Sequence, residues 1–291
     1  MASGPRSESR SRSRSRSRRR RPRRGTSDLF ARILIAIPAI AFAVFIIAAG
    51  GWIFTAGAVL LGLLCMHELF RMYEGVRPVK LAGFAALIGL GVAANVGDST
   101  QVLLAAVAFF PVVFLLGIAM PVREGVTVTA GMAITTFGVF WIGMAIAHAV
   151  LLRGTAHGDG IIIDILVGTF VGDTAAYLGG RTFGTRRLAP RISPNKTWEG
   201  LGFGIAACVF AVWYASRTYP GTWISGTDGL LLGVAVALSA PVGDLFESLI
   251  KRDVGTKDTG GLFGVHGGAL DRLDAALFSL VAGYHVWLAV S

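Results

Sequence analysis

Six ionisable residues sit inside stretches that are otherwise apolar: Asp173, then Asp244 and Glu247, then Asp271, Arg272 and Asp274. Charge in such surroundings is costly to hold, and therefore points to function. Asp271 and Asp274 stand three residues apart, so on a helix they share one face and repel unless a cation lies between them. Carboxylate oxygens with no His or Cys at ligand spacing favour Mg²⁺ over zinc. The alternative is that Arg272 and a lysine neutralise the pair as structural ion pairs. Two polar loops flank these acids, RTFGTRRLAPRISPNKTWEG (181–200) and KRDVGTKDTGGLFGVHGG (251–268). Both mix Lys and Arg with Gly, Ser and Thr, a combination that can wrap phosphates with amides and cations. The second ends in Gly267-Gly268 just before an apolar run, so a helix N-terminus points its positive end at the same place. Neither contains the GxxxxGK[ST] pattern of a P-loop. His266 lies between the basic residues and the glycines, where it can contact phosphate or base. Glu68 is a weaker candidate without an evident partner, and Asp164 reads as interfacial. His67, His148, His157 and His285 have no companions in the sequence.

What must position these groups is a set of membrane helices. The 291-residue chain is 54% hydrophobic and only 15% charged, with a mean hydropathy of +0.65; soluble domains carry nearer 25% charge. A span needs about 20 helical residues. The apolar runs predict nine spans, at 33–50, 52–70, 81–96, 102–120, 126–151, 161–180, 200–217, 229–250 and 268–290, the third being short and rich in Gly and Ala. The expected fold is therefore all-α and polytopic, its site built from helix ends and short loops. It divides into an Arg/Ser-rich tail over 1–28, N-terminal helices over 29–160 and a catalytic membrane region over 161–291. Cys65 and Cys208 lie in apolar runs and read as small core hydrophobes.

The net charge of +10 is localised. Residues 1–32 hold 12 of the 27 Lys and Arg but only two acids, and the remainder balances 15 basic against 15 acidic residues. The tail cannot bury a core and reads as disordered in isolation. With it placed in the cytoplasm, twelve basic residues fall in inside loops: Arg71, Arg77, Lys80, Arg123, Arg181, Arg186, Arg187, Arg191, Lys196, Lys251, Arg252 and Lys257. Only Arg153 and Arg217 fall outside, as the positive-inside rule demands. All the acidic candidates then lie near the inner face. A neutral body argues against nucleic acid as a partner, although the Arg/Ser run raises that reading.

The stretch Ser248 to Asp274, SLIKRDVGTKDTGGLFGVHGGALDRLD, resembles the signature of phosphatidate cytidylyltransferases (CDP-diacylglycerol synthases): Ser, Lys-Arg, Lys-Asp, His-Gly-Gly and Asp-Arg-x-Asp at fixed spacings. The block GDTAAYLGGRTFG…ISPNKTWEG (172–200) resembles the same family. The likeness is specific over about 165–285 and general over 33–160; the tail is no family feature. It implies transfer of the cytidylyl group of CTP to phosphatidic acid, with Mg²⁺ and a second cation, K⁺ or another Mg²⁺. Family aspartates that bind metal match Asp244, Asp271 and Asp274, with Asp173 as a fourth candidate from the residues alone. Lys257 joins these aspartates as catalytic, and Ser193, Lys196, Lys251, Arg252, Asp258, His266, Gly267 and Gly268 form the expected substrate-binding set. Trp198 and Asn195 are placed against cytosine or the loop. The setting implied is a bacterial inner membrane, with membrane lipids as partners and a homodimer left open. The alternatives are a CTP-dependent lipid-alcohol kinase and a cation transporter.

Overall fold

The computed structural model describes residues 26–121, 125, 127–219, 223–256, 259–260 and 268–291, with side chains from Ile37 onward. Its helices are α1 (Thr26–Ala49), α2 (Gly51–Met72), α3 (Lys80–Val96), α4 (Ser99–Ile118), α5 (Val128–Gly138), α6 (Met144–Gly154), α7 (Gly158–Phe183), α8 (Trp198–Ser216), α9 (Gly226–Asp253) and α10 (Leu270–Val290). A π turn, Val139–Gly143, joins α5 to α6, so the two form one rod, Val128–Gly154. Nine rods thus follow the nine expected spans, with ends differing by a few residues except at α1, which starts seven residues early. Among the described residues, seven helices are long and apolar enough to cross a membrane, while Ile37–Ala49 and Lys80–Val96 are shorter. The protein is an all-α, multi-pass membrane protein.

Within a bilayer, small residues let helices approach closely and pack. At the α7–α8 contact, a Cβ at Gly204 would lie 2.9 Å from the Ala176 Cβ and 3.0 Å from the Gly172 carbonyl oxygen. At the α9–α10 contact, a Cβ at Gly243 would lie 2.5 Å from the Asp274 carbonyl oxygen and 3.1 Å from the Ala275 Cα. The second approach sets Asp244 beside Asp274. On the faces turned outward, Leu103, Leu104, Val107, Phe114 and Leu115 of α4 are all more than half exposed, as helices solvated by lipid require. The buried core runs through Met66, Leu69 and Phe70 of α2, Leu87 and Leu90 of α3, Ile142, and Ile161 and Ile165 of α7. Cys65 and Cys208 are buried there as free thiols.

One segment departs from the all-loop expectation. Between α7 and α8 the chain makes an antiparallel hairpin, β1 (Arg187–Ala189) and β2 (Ser193–Thr197). Its hydrogen-bonded ribbon gives the polar loop a fixed form that composition alone did not announce. Asp164, expected at the outer end of its span, is fully buried and accepts a hydrogen bond from Tyr219 Oη at 3.0 Å. The histidines have neighbours too. His148 and His285 lie 5.1 Å apart between ring centroids, and His157 stacks on Trp223 at 4.4 Å.

Candidate active site

The C-terminal ends of α2, α7 and α9, the hairpin and the N-terminus of α10 meet at one end of the bundle. Arg252 Nε donates to the Ile192 carbonyl at 3.0 Å, tying the end of α9 to the hairpin. Glu199, in the first turn of α8, pins the start of the hairpin by accepting from Thr185 Oγ1 at 2.5 Å and from its amide at 3.1 Å. Thr197 caps α8, its hydroxyl accepting from the Gly200 amide at 3.1 Å. These local ties hold Lys196, one residue before the cap, over Asp244 of α9.

Under the hairpin lies a cavity of about 620 Å³. Asp173, Tyr177 and Arg181 of α7, Asn195 and Lys196 of β2 and Asp244 of α9 line it. Lys196 Nζ sits 2.6 Å from Asp244 Oδ2. Ala237 and Pro241 of α9 also face the cavity; the proline lacks the amide that would have bonded the Ala237 carbonyl in a regular helix. The cavity thus has cationic and carboxylate groups on an apolar wall, the usual composition of a ligand site.

Beside it is a second cluster. Lys251 Nζ bridges Glu247 Oε2 at 2.5 Å and Asp271 Oδ1 at 2.8 Å, with Glu247 1% exposed. Asp271 Oδ2 accepts from the Gly268 amide at 2.7 Å, the Thr259 hydroxyl at 2.9 Å and the Thr259 amide at 3.1 Å. Asp274 is buried and within reach of the charge of both Asp244 and Asp173. The geometry therefore unites Asp173, Asp244, Asp274 and Lys196, and sets Lys251, Asp271 and Gly268 next to them. Ser193 opens β2 and does not line the cavity. Lys257, Asp258, His266 and Gly267 lie outside the described residues. Glu68, without a partner in the sequence, has several in the fold: its carboxylate accepts from the Ala269 and Leu270 amides and from Thr259 Oγ1. Only its burial among apolar neighbours in α2 could have flagged it.

The fit to a divalent ion differs among the aspartates. The donors are all carboxylate oxygens, suited to a hard cation, and Asp173, Asp244 and Asp274 repel one another, a strain a cation relieves. Asp271 departs from this set, since both its oxygens are already engaged. Among the described residues, no three His, Cys, Asp or Glu side chains converge into a metal-holding group. Mg²⁺ does not require one, because it commonly takes one or two carboxylates and completes its shell with water and substrate phosphates.

The chain matches the cytidylyltransferase family over residues 30–290. It is 36% identical over 156 residues to a phosphatidate cytidylyltransferase of Mycobacterium bovis, covering 52% of this chain and 49% of the relative. It is 41% identical over 140 residues to one of Brucella suis, covering 47% and 50%. To the chloroplastic phosphatidate cytidylyltransferase 4 of Arabidopsis thaliana it is 30% identical over 277 residues, covering 82% and 68%. The chain thus spans about half the length of these bacterial relatives and about two thirds of the plant one.

Proposed function

The chain belongs to the cytidylyltransferase family, and from that premise we propose that it transfers the cytidylyl group of CTP to phosphatidic acid, giving CDP-diacylglycerol and pyrophosphate. The observation that carries this reading is the cavity at one bundle end where Lys196, Asp244 and Asp173 meet under a basic hairpin. A phosphate oxygen of phosphatidate attacks the α-phosphorus of CTP. The new P–O bond forms as the bond from that phosphorus to the β-phosphate bridging oxygen breaks, and pyrophosphate leaves in line.

A phosphate nucleophile is already anionic at neutral pH, so no strong base is needed. The obstacle is repulsion between two polyanions, and the protein's work is positioning and charge neutralisation. Lys196 exchanges its hold on Asp244 for a phosphate oxygen when nucleotide enters. Lys251 and Arg252 add positive charge beside the cavity. Pro241 and the hairpin residue Asn195, which line the cavity, face the nucleotide. Asp244 and Asp274, with Asp173, would hold Mg²⁺, which supplies charge neutralisation at the phosphates. A second cation, K⁺ or another Mg²⁺, would be held by the same acidic residues. Lys257, Asp258, His266 and Gly267 complete the phosphate-binding set on the sequence resemblance.

The basic residues segregate to the end that carries the site, which supports a cytoplasmic N-terminus and a site at the inner face of the plasma membrane. There CTP and the phosphatidate headgroup meet. The Arg/Ser tail adds attraction to anionic lipids of that leaflet.

The test uses purified protein in detergent with CTP labelled at the α- or the γ-phosphate. α-Label entering the lipid with pyrophosphate release is the expected result. γ-Label entering a lipid alcohol would replace this reading with the kinase.

A further inference from the structure

Glu68 is the one carboxylate of α2 that reaches the site end of the bundle, and it is 4% exposed. Its Oε1 accepts from the Ala269 amide at 3.0 Å. Its Oε2 accepts from the Leu270 amide at 2.9 Å and from Thr259 Oγ1 at 3.2 Å. Helix α10 has no side-chain cap of its own from Ala269, so a residue some two hundred positions earlier satisfies its first amides. A carboxylate suits that place because helix N-termini carry unpaired amides and positive potential.

The same carboxylate therefore holds Thr259 together with Ala269 and Leu270. A Cβ at Gly260 would lie 2.7 Å from Glu68 Oε1, so the backbone passes close to the carboxylate there. Thr259 Oγ1 is shared between Glu68 and Asp271. Two carboxylates from helices far apart in sequence thus fasten one hydroxyl and the first turn of α10. That turn carries Asp271, and Asp274 follows on the next turn of the same helix.

We infer that Glu68 is a positioning residue for nucleotide binding: from the N-terminal half of the bundle it fixes Thr259 and the start of α10, and with them the register of Asp271 and Asp274. It touches neither substrate nor the reacting atoms. The inference rests on the cytidylyl-transfer reading for its kinetic part and on geometry alone for the clamp. Misplacing reacting groups by about 1 Å costs on the order of 100-fold in rate, which sets the scale of the effect.

The experiment compares wild type, Glu68→Gln and Glu68→Ala, purified in detergent, by hydrogen exchange and by steady-state kinetics. Glu68→Ala is expected to speed deuterium uptake across 259–272, to raise KM for CTP about 10-fold, to lower kcat about 10- to 100-fold and to leave KM for phosphatidate unchanged. Glu68→Gln, which keeps the side-chain volume and one acceptor oxygen, is expected to fall between. Uptake across 259–272 equal to wild type would overturn the clamp. A fall in kcat with both KM values unchanged would mean only a smaller folded fraction, and would overturn positioning. Should Glu68→Ala not fold, Glu68→Gln carries both readouts with the same criteria. Wild type that turns over no CTP sinks the functional reading instead, while the uptake comparison still decides the clamp.

Discussion

Lys251 is the residue whose removal tests the site most directly. Its ammonium lies 2.5 Å from Glu247 and 2.8 Å from Asp271. The lysine side chain is 15% exposed, Glu247 1% and Asp271 13%, so water does little to screen the three. With Lys251→Met, two carboxylates that shared one cation face each other without it. Breaking a buried ion pair by removing one partner costs about 3–5 kcal/mol, and Asp271 retains its Thr259 and Gly268 bonds, which places the expected cost near the lower figure. At a few degrees per kcal/mol, the thermal transition falls by roughly 10 °C. The assay is thermal unfolding in detergent at one scan rate, because such unfolding is read as a rate. The decisive comparison adds Glu247→Gln to Lys251→Met, which removes the stranded charge and returns most of the lost stability; the interaction energy comes from the full cycle. A Lys251→Met transition within about 2 °C of wild type, or no recovery in the double variant, refutes the argument. Turnover is the second readout: a double variant that recovers stability but not cytidylyl transfer assigns Lys251 a contact with substrate phosphate.

Asp244→Asn frees Lys196 from its partner at 2.6 Å and removes a charge from the acidic rim. Pyrophosphate release is expected to fall about 100-fold or more, and the Mg²⁺ needed for half-maximal rate to rise in a titration. Gly204→Val drives a side chain against Ala176 Cβ and the Gly172 carbonyl; overpacking costs about 1–3 kcal/mol, read as a lower thermal transition and a smaller cavity-dependent rate. Asp98 caps α4 with Gln101 in a reciprocal box, and the Thr100 amide and side chain hold its carboxyl below the usual range. Its contribution is therefore present above the unfolded-state value and lost as pH falls through the folded one. Asp98→Asn, which still accepts the bond, should flatten the acid limb of the stability profile; an unchanged limb counts against the cap.

Much of the architecture was legible because a bilayer imposes a coarse rule. Apolar length alone placed the rods, and the expected 52–70 and 161–180 became Gly51–Met72 and Gly158–Phe183. Asp173, Asp244 and Asp274 were legible as candidates because a charge within an apolar helix is expensive wherever it points. The two polar loops were legible in composition but not in form, since ribbon pairing between Arg187–Ala189 and Ser193–Thr197 depends on register.

What the sequence by itself determined, then, is the all-α, multi-pass character of the chain and which acids lie within its apolar runs, both of which follow from transfer free energies that are local to each segment. Only the tertiary structure decided how the acids divide. Asp244 faces the cavity under Lys196, while Asp271, three residues from Asp274 and equal to it in the sequence, turns to Lys251, Thr259 and Gly268. Glu68 becomes the cap of a helix some two hundred residues away. The reason is that hydrogen-bond partners are chosen by where backbones can approach, and that is set by small residues such as Gly243 and Gly204 at helix crossings rather than by any pattern along the chain.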